Sequence, residues 1–280
     1  MMYVLVPVFK RLPSSKRFYE CLSLSGVDFK LIFSDDSEDG EHYKYFKNIN
    51  NVHVLESIDL YWGGGLNNCI NYFLNTFDVK SDDVVVFANN DITFDSSFVR
   101  SMISKVKLDG DHLYHPRTID SHNKNEIASG KKLISWPFFL TAKPKFVRKQ
   151  DVSVDFASGR FLMFTLNTLK KLGGISKNLP QYLGDNDFTY RAKKIGISTK
   201  ITHDVFCYVD ESETGLKGNN IENIRELFAS FFSIKSPYSF KYRWNFMRNC
   251  CPFLLVPFAY ISSYIKVIAL YFANYYNIKK

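Results

Sequence analysis

The run Val84-Val85-Val86-Phe87-Ala88 is apolar at every position, so a strand built from it has no face to give to water. Half-exposed strands alternate apolar and polar residues. A continuous run must be covered on both sides, which is the condition of a parallel sheet layered between helices. The run stops abruptly at Asn89-Asn90-Asp91. In open α/β sheets ligands bind outside the carboxyl ends of the strands, and Asp91 is a hard oxygen donor that suits Mg2+ or Mn2+. Asn and Asp also end strands simply by forming turns, so the neighbouring segments must separate a metal site from a turn.

Those segments repeat the layered pattern. Residues 3–9 and 29–33 read as buried strands and 52–55 as a short one. Helices are expected over 16–24 and over 67–77, the latter from the spacing of Cys69, Ile70, Phe73, Leu74 and Phe77. Strands alternating with helices predict an α/β doubly wound sheet. Beyond Asp91 the pattern becomes mixed, with a strand and turn insert from His115 to Gly130, an aromatic loop at Trp136-Pro137-Phe138-Phe139, and a second core segment from Val152. A chain of 280 residues fits one large α/β domain with a terminal appendage.

Charge is concentrated in that appendage. From Leu227 onward there are Lys235, Lys241, Arg243, Arg248, Lys266, Lys279 and Lys280 and no Asp or Glu, so the tail holds seven of the eight net positive charges. A basic, aromatic tail on a near-neutral body argues against a nucleic-acid face spread over the fold and for an anionic membrane surface. Residues 250–273 are apolar with Lys266 as their one charge, long enough to span a bilayer. Ser262, Ser263, Tyr260, Tyr264 and Tyr271 favour instead a helix lying at the interface, with a packed soluble helix as the further alternative. The five cysteines show no CxxC or metal-ligand spacing and are expected to be reduced and structural. The amino terminus runs straight into a strand pattern without the features of a signal peptide, so a cytosolic domain is expected.

Three further segments carry side chains suited to chemistry. Asp35-Asp36-Ser37-Glu38-Asp39-Gly40 follows a buried strand, where a carboxylate can accept hydrogen bonds from a ribose or a base N–H; a solvated turn is the plain alternative. Gly63-Gly64-Gly65 precedes the expected helix, where glycine permits close backbone approach and a helix start favours an anion; the alternative is a flexible turn capped by Asn67 or Asn68. In Gly184-Asp185-Asn186-Asp187, followed by Arg191, Asp185 suits a helix N-cap and Asp187 with Arg191 an ion pair one turn apart.

Taken in order, these segments resemble the family 2 inverting glycosyltransferases of the GT-A fold, in particular the bacterial branch that builds surface polysaccharides and includes rhamnosyltransferases. Leu31 to Gly40 is similar to the family's strand and Asp-rich turn, Trp62 to Asn68 to its Gly-rich stretch, and Phe87 to Asp91 to its metal motif. His115 to Asp120 with Ser129-Gly130 resembles the branch's insert. Ser158-Gly159-Arg160-Phe161, Gly173-Gly174 and Gly184 to Arg191 resemble the acceptor side. The match spans residues 3–210.

The resemblance implies a GT-A-like, mostly parallel sheet flanked by helices in residues 1–225, with a nucleotide-binding part over 1–95 and an acceptor part over 96–225. A helical extension with basic and aromatic residues over 226–280 follows. It implies a nucleotide-sugar glycosyltransferase moving a hexosyl or deoxyhexosyl group to a hydroxyl of a glycan, lipid-linked and destined for capsule or O-antigen. Such an enzyme is expected to need Mg2+ or Mn2+ and to sit peripherally at the inner face of the cell membrane, with no nucleic-acid partner; a homodimer is left open. Asp185 is implied as general base and Asp91 as metal ligand. Asp210 is implied as a second ligand where the family often has a late His. Pro7, Phe9, Asp35, Asp36, Gly64, Gly65, Asn68, Asn89, Asn90 and Arg160 are implied on the donor, and Trp136, Asp187 and Arg191 on the acceptor. The acidic loop does not rank Asp35 against Asp36, and Gly184 stands where the family usually has Glu. The alternatives are a sugar nucleotidyltransferase and a non-catalytic, membrane-attached relative that binds glycan or nucleotide.

Overall fold

The computed structural model describes every residue except 109–110, 128, 147–149, 211–220, 222 and 279–280, with backbone alone for 274–278. In chain order the first half contains β1 Met2–Val8, α1 Leu12–Leu24, β2 Phe29–Asp35, α2 Glu41–Phe46, β3 Val52–Glu56, α3 Tyr61–Thr76, β4 Val84–Ala88, β5 Ile92–Thr93 and α4 Phe98–Leu108. Then come β6 Leu113–Asp120, β7 Glu126–Ile127, β8 Gly130–Ser135, β9 Leu140–Ala142, β10 Val152–Val154, β11 Phe156–Ala157, β12 Phe161–Thr165, α5 Leu166–Leu172, α6 Gly184–Lys194 and β13 Thr199–Val209. The chain closes with α7 Ile224–Phe232, α8 Phe240–Cys250 and α9 Val256–Ile278.

The main sheet runs β10-β13-β6-β12-β4-β1-β2-β3. Strands β3, β2, β1 and β4 are parallel neighbours. The chain therefore steps outward from β1 to β3 and returns to β4 on the other side of β1. That reversal leaves a crevice at the carboxyl ends of β1 and β4, the place where doubly wound sheets receive ligands. The expected two-sided burial of β4 is what occurs. Val84, Val86 and Ala88 pack into a cluster with Phe18 of α1 and Val99 and Met102 of α4. Val85 and Phe87 pack into the opposite cluster with Leu66 and Phe73 of α3 and Phe188 of α6.

The second half is mixed because β12 lies antiparallel between β4 and β6, while β13 runs parallel to β6. Beyond a break in register between Ile201 and Phe206, the far end of β13 pairs antiparallel with β5. A smaller sheet, β11-β8-β9, sits beside α6. Helix α8 shares a core cluster with it: Tyr242, Phe246 and Met247 pack with Trp136, Phe156 and Tyr190. The division expected between 225 and 226 falls inside α7.

One element starts earlier than its apolar spacing suggested. Helix α3 begins at Tyr61, so Gly63-Gly64-Gly65 lies in its first turns rather than in a loop before it. A Cβ on Gly63 would come within 2.9 Å of the Leu179 carbonyl oxygen, and one on Gly65 within 2.9 Å of Pro7 Cβ. Glycine lets α3 lie directly on β1 and on the 175–180 loop, which offsets its weak helix propensity of about 1 kcal/mol per residue. Gly65→Ala should therefore destabilise the fold by about 1–3 kcal/mol through overpacking. Gly64→Ala, whose Cβ would meet only Leu60, should change stability by less than about 1 kcal/mol; urea unfolding measures both.

Candidate active site

At the end of β4 the two amides hold the turn. Asn89 Oδ1 accepts from Trp62 Nε1 at 2.9 Å, its backbone N–H donates to the Arg160 carbonyl at 2.9 Å, and Asn90 Nδ2 donates to Ser15 Oγ at 2.8 Å. Asp91, partly buried, follows them. Because Thr93 pairs with Tyr208 and Ile92 with Val209, continuing that register sets Asp91 opposite Asp210. Asp210 Oδ2 is 2.9 Å from His122 Nε2, and His122 stands on the turn after β6, whose Asp120 pairs with Val209. The hydrogen bond and charge of Asp210 raise the pKa of His122. Register thus brings Asp91 to the edge where Asp210 and His122 meet. That donor set suits Mg2+ or Mn2+.

A second group, Asp151, His203 and Asp204, brings its ligand atoms within 4.8 Å of one another. Lys105 Nζ already lies 3.1 Å from Asp151 and 2.8 Å from Asp204, so an ammonium neutralises that group. It sits where β13 breaks register, on the order of 20 Å along the strand from Asp210.

Across the crevice, Asp185 lies in the first turn of α6, set by Leu183 in the left-handed region at φ 67°. Its Oδ2 accepts from the Gly159 N–H at 3.1 Å and its Oδ1 from the Asn186 N–H at 2.7 Å. Burial raises its pKa; those N–H groups and the Arg160 charge pull it back only in part. Gly159 must be glycine, since a Cβ there would lie 2.2 Å from the Trp62 ring. Trp62 therefore spans from Asn89 to Gly159 and fixes the β4 turn relative to Asp185. Beside them Arg160 is 8% exposed. Among the described residues its guanidinium has no hydrogen-bonding or ion-pair partner. Its charge acts on Asp185, His115 and Cys207 around it.

Several expected ligand contacts are taken up by the protein itself. Asp36 accepts from the Leu60 N–H, the Tyr61 N–H and Ser57 Oγ, all within 3.1 Å. A carboxylate thus occupies the start of α3, where an anionic ligand was expected at Gly64 and Gly65, and the physical reason is that the orphan N–H groups there need an acceptor. Asn68 ties α3 to Ser34 of β2 at 3.1 Å. Asp35 is fully buried: Oδ1 accepts from the Ser37 N–H at 3.1 Å, and Oδ2 is 3.2 Å from His42 Nδ1. His42 Nε2 is in turn 2.9 Å from Ser15 Oγ, the acceptor for Asn90. This chain of side chains fastens the acidic loop to the β4 turn. Pro7 packs on α3, while Phe9, 59% exposed just after β1, has the Lys10 ammonium over its ring at 5.4 Å.

The expected acceptor contacts are likewise committed to the fold. Asp187 is fully buried and accepts from Arg191 Nε at 2.8 Å, Ser176 Oγ at 2.6 Å and Asn249 Nδ2 at 2.9 Å. Arg191 also donates to the carbonyls of Leu172 and Gly174. The helical spacing that pairs Asp187 with Arg191 turns both toward the α5–α6 connection and away from the crevice. Trp136 is buried, donates from Nε1 to the Tyr190 hydroxyl at 3.0 Å and stacks on Phe139. Its place is in the core shared with α8.

Sequence reasoning missed Ser15, His42, His115 and His122. Each acts through a partner far along the chain, a relation that no local pattern records. Trp62 alone carried a signal, as an aromatic next to the glycines.

No protein-family model and no curated protein matches the chain. Solved structures do. GalNAc-T7, determined with UDP, GalNAc and Mn2+, superposes with a TM-score of 0.58 at 12% identity, over 94% of this chain and 54% of its own. The mannosyltransferase PcManGT from Pyrobaculum calidifontis, determined with GDP-Man and Mn2+, gives 0.54 at 11% identity, over 96% of this chain and 75% of its own. The chain has the GT-A fold. It spans about half the length of GalNAc-T7, at 54%.

His115, fully buried beside Arg160, makes a pH prediction. Its Nε2 is 2.9 Å from Ser158 Oγ and burial pushes its pKa down to about 4. Below the ordinary value of about 6.5 the unfolded chain takes up a proton that the folded chain refuses until about pH 4, so stability falls as pH drops through that window, by up to about 3 kcal/mol. Urea unfolding at pH 7.5 and 4.5 should show this loss, and His115→Gln should remove that part of it.

Proposed function

We propose that the chain is a divalent-cation-dependent, inverting glycosyltransferase that takes a nucleotide sugar as donor and a glycan hydroxyl as acceptor. The observation that carries the reading is the juxtaposition of Arg160 with the base candidate Asp185: the two lie either side of Gly159, the Arg160 charge acts on the Asp185 carboxyl, and no direct hydrogen bond or ion pair among the described residues occupies the guanidinium. Such a group is a receptor for the donor diphosphate. The GT-A fold and the nucleotides and Mn2+ held by GalNAc-T7 and PcManGT support the choice of donor and ion.

Each residue then has one task. Asp91, with Asp210 and His122, would hold the cation, which when bound would neutralise charge on the departing diphosphate. Arg160 holds the diphosphate and Phe9 offers a stacking face for the base. Asp185 accepts the acceptor hydroxyl's proton as its oxygen bonds to the anomeric carbon and the bond to the diphosphate breaks on the other face. Burial helps here, since a carboxylate with a raised pKa is the stronger base. A hollow lined by Tyr182, Ala229, Ser230, Pro237 and Tyr238 lies between α7 and the segment that leads into α6 and is open to the acceptor. The finer assignment, a lipid-linked acceptor in bacterial surface-polysaccharide synthesis, follows the family resemblance and the basic, apolar carboxyl-terminal helices.

Asp185→Asn should lower transfer by about 10²–10⁴-fold while nucleotide binding persists, and near-normal transfer would overturn its role. The acid limb of the wild-type rate profile should lie above the ordinary carboxylate range, because protonation silences a base whose pKa is raised. Arg160→Lys should restore little of the nucleoside-diphosphate affinity lost in Arg160→Ala, as measured by calorimetry, since an ammonium lacks the bidentate fork. Equal affinity in wild type and Arg160→Ala would remove the diphosphate assignment.

A further inference from the structure

Helix α9 is amphipathic in the inverse sense to an ordinary surface helix. Every exposed residue from 252 to 273 is apolar, with Phe253 85% exposed and Leu254, Phe258, Ile261, Ile265 and Phe272 also open to solvent. Its polar side chains face inward. The Tyr260 hydroxyl donates to the Phe240 carbonyl, the Tyr264 hydroxyl to that of Tyr238, Ser262 Oγ to that of Pro137, and Lys266 Nζ to that of Phe139. The last two bonds clamp the β8–β9 turn against α9, and that turn presents Phe138, 63% exposed. Helix α7 adds Phe232, 79% exposed, whose ring lies against Phe240. One apolar platform thus extends over α7, α9 and the β8–β9 turn. It is larger than the scattered apolar residues of an ordinary soluble surface.

The geometry points to an anionic lipid bilayer as its occupant, with α9 lying in the plane of the interface. Lys235, Lys241 and Arg248 are exposed on the segments that lead into α9, and no acidic residue occurs from Leu227 onward. Basic charge joined to an apolar face suits anionic headgroups above acyl chains. Pairing with a second copy suits it less. Residues 254, 258, 261, 265, 268 and 272 have heptad spacing, but the flanking positions are Pro257, Ala269 and Leu270, where a coiled coil places charges. Spanning is also disfavoured. Val256, Ala259, Tyr264 and Val267 are packed into the clusters beneath, and Arg243 donates to the Ser263 carbonyl at 3.3 Å. Pulling α9 upright would strip those contacts.

The platform is rigidly joined to the crevice. The β8–β9 turn begins at Trp136, which bonds Tyr190 of α6, the helix that starts beside Asp185. The bilayer therefore sets the height of Asp185 above the lipid, which fits an acceptor hydroxyl on a lipid-linked glycan; this last step alone rests on the transferase reading.

The test uses the full chain and vesicles of phosphatidylcholine with or without phosphatidylglycerol, read by flotation. The wild-type chain should float reversibly with the anionic vesicles and less so at high salt. Phe258→Glu with Ile265→Glu should weaken flotation by more than about ten-fold, and Phe138→Ser, outside the helix, should weaken it in part. Circular dichroism and nucleotide binding, both independent of lipid, should stay at wild-type level in these variants. Unchanged flotation of the double variant would overturn the proposal. A dimer that the same substitutions dissolve, without wild-type flotation, would assign the face to a second copy, and irreversible insertion would assign it to a span. Flotation needs no turnover, so failure of the transferase reading leaves it standing, and loss of nucleotide binding in wild type would count against that reading alone.

Discussion

The crevice depends on a strand with no solvent face. Because β4 is apolar at every position, it must lie between two helical layers, and its even and odd residues do pack into opposite cores. That burial places its polar end, Asn89 to Asp91, at the sheet edge beside the end of β1. The amides are then held at fixed places by Trp62 and Ser15. Loosening β4 would shift the carboxylate, the Trp62 bridge and, through Gly159, the surroundings of Asp185 together.

Five carboxylates that looked alike in sequence divide by their hydrogen-bond partners. Asp36 and Asp187 each receive donors on both oxygens, Asp35 lies fully buried between Ser37 and His42, and a carboxylate met in this way fastens one element to another. Asp185 receives two backbone N–H groups yet keeps a raised pKa, because burial outweighs them. Asp91 stands opposite Asp210 by register. The acids that hold the fold and those that face the crevice thus obey the same electrostatics, and what differs is which partners each meets and how burial weighs against them.

The buried cation and the exposed apolar helix are the two places where the molecule departs from ordinary soluble-protein economy. Arg160 is largely covered with no direct ion pair among the described residues, and α9 turns its polar groups inward and its apolar groups out. Each departure is stable in isolation only because the surrounding fold holds it. Each is relieved by something outside the chain, an anion in one case and a lipid surface in the other.

The sequence by itself determined the layers. Strand and helix periods around β1 to β4, the polar end of β4 and the one-signed charge of the tail all follow from local composition, because burial on a sheet or helix face imposes a short repeat. It also marked Asp91 and Asp185 as residues of interest, through their place after a strand and at a helix start, and Arg160 through the family resemblance. Only the tertiary structure decided which acids are spent on fastening the fold. Gly63 and Gly65 of α3 lie on packing surfaces, Asp36 accepts at the start of that helix and Trp136 sits in the core. His42, His115 and His122 took their places through partners 27, 43 and 88 residues away. Hydrogen bonds between such distant positions leave no periodic trace in the chain, since their geometry exists only once the layers have packed.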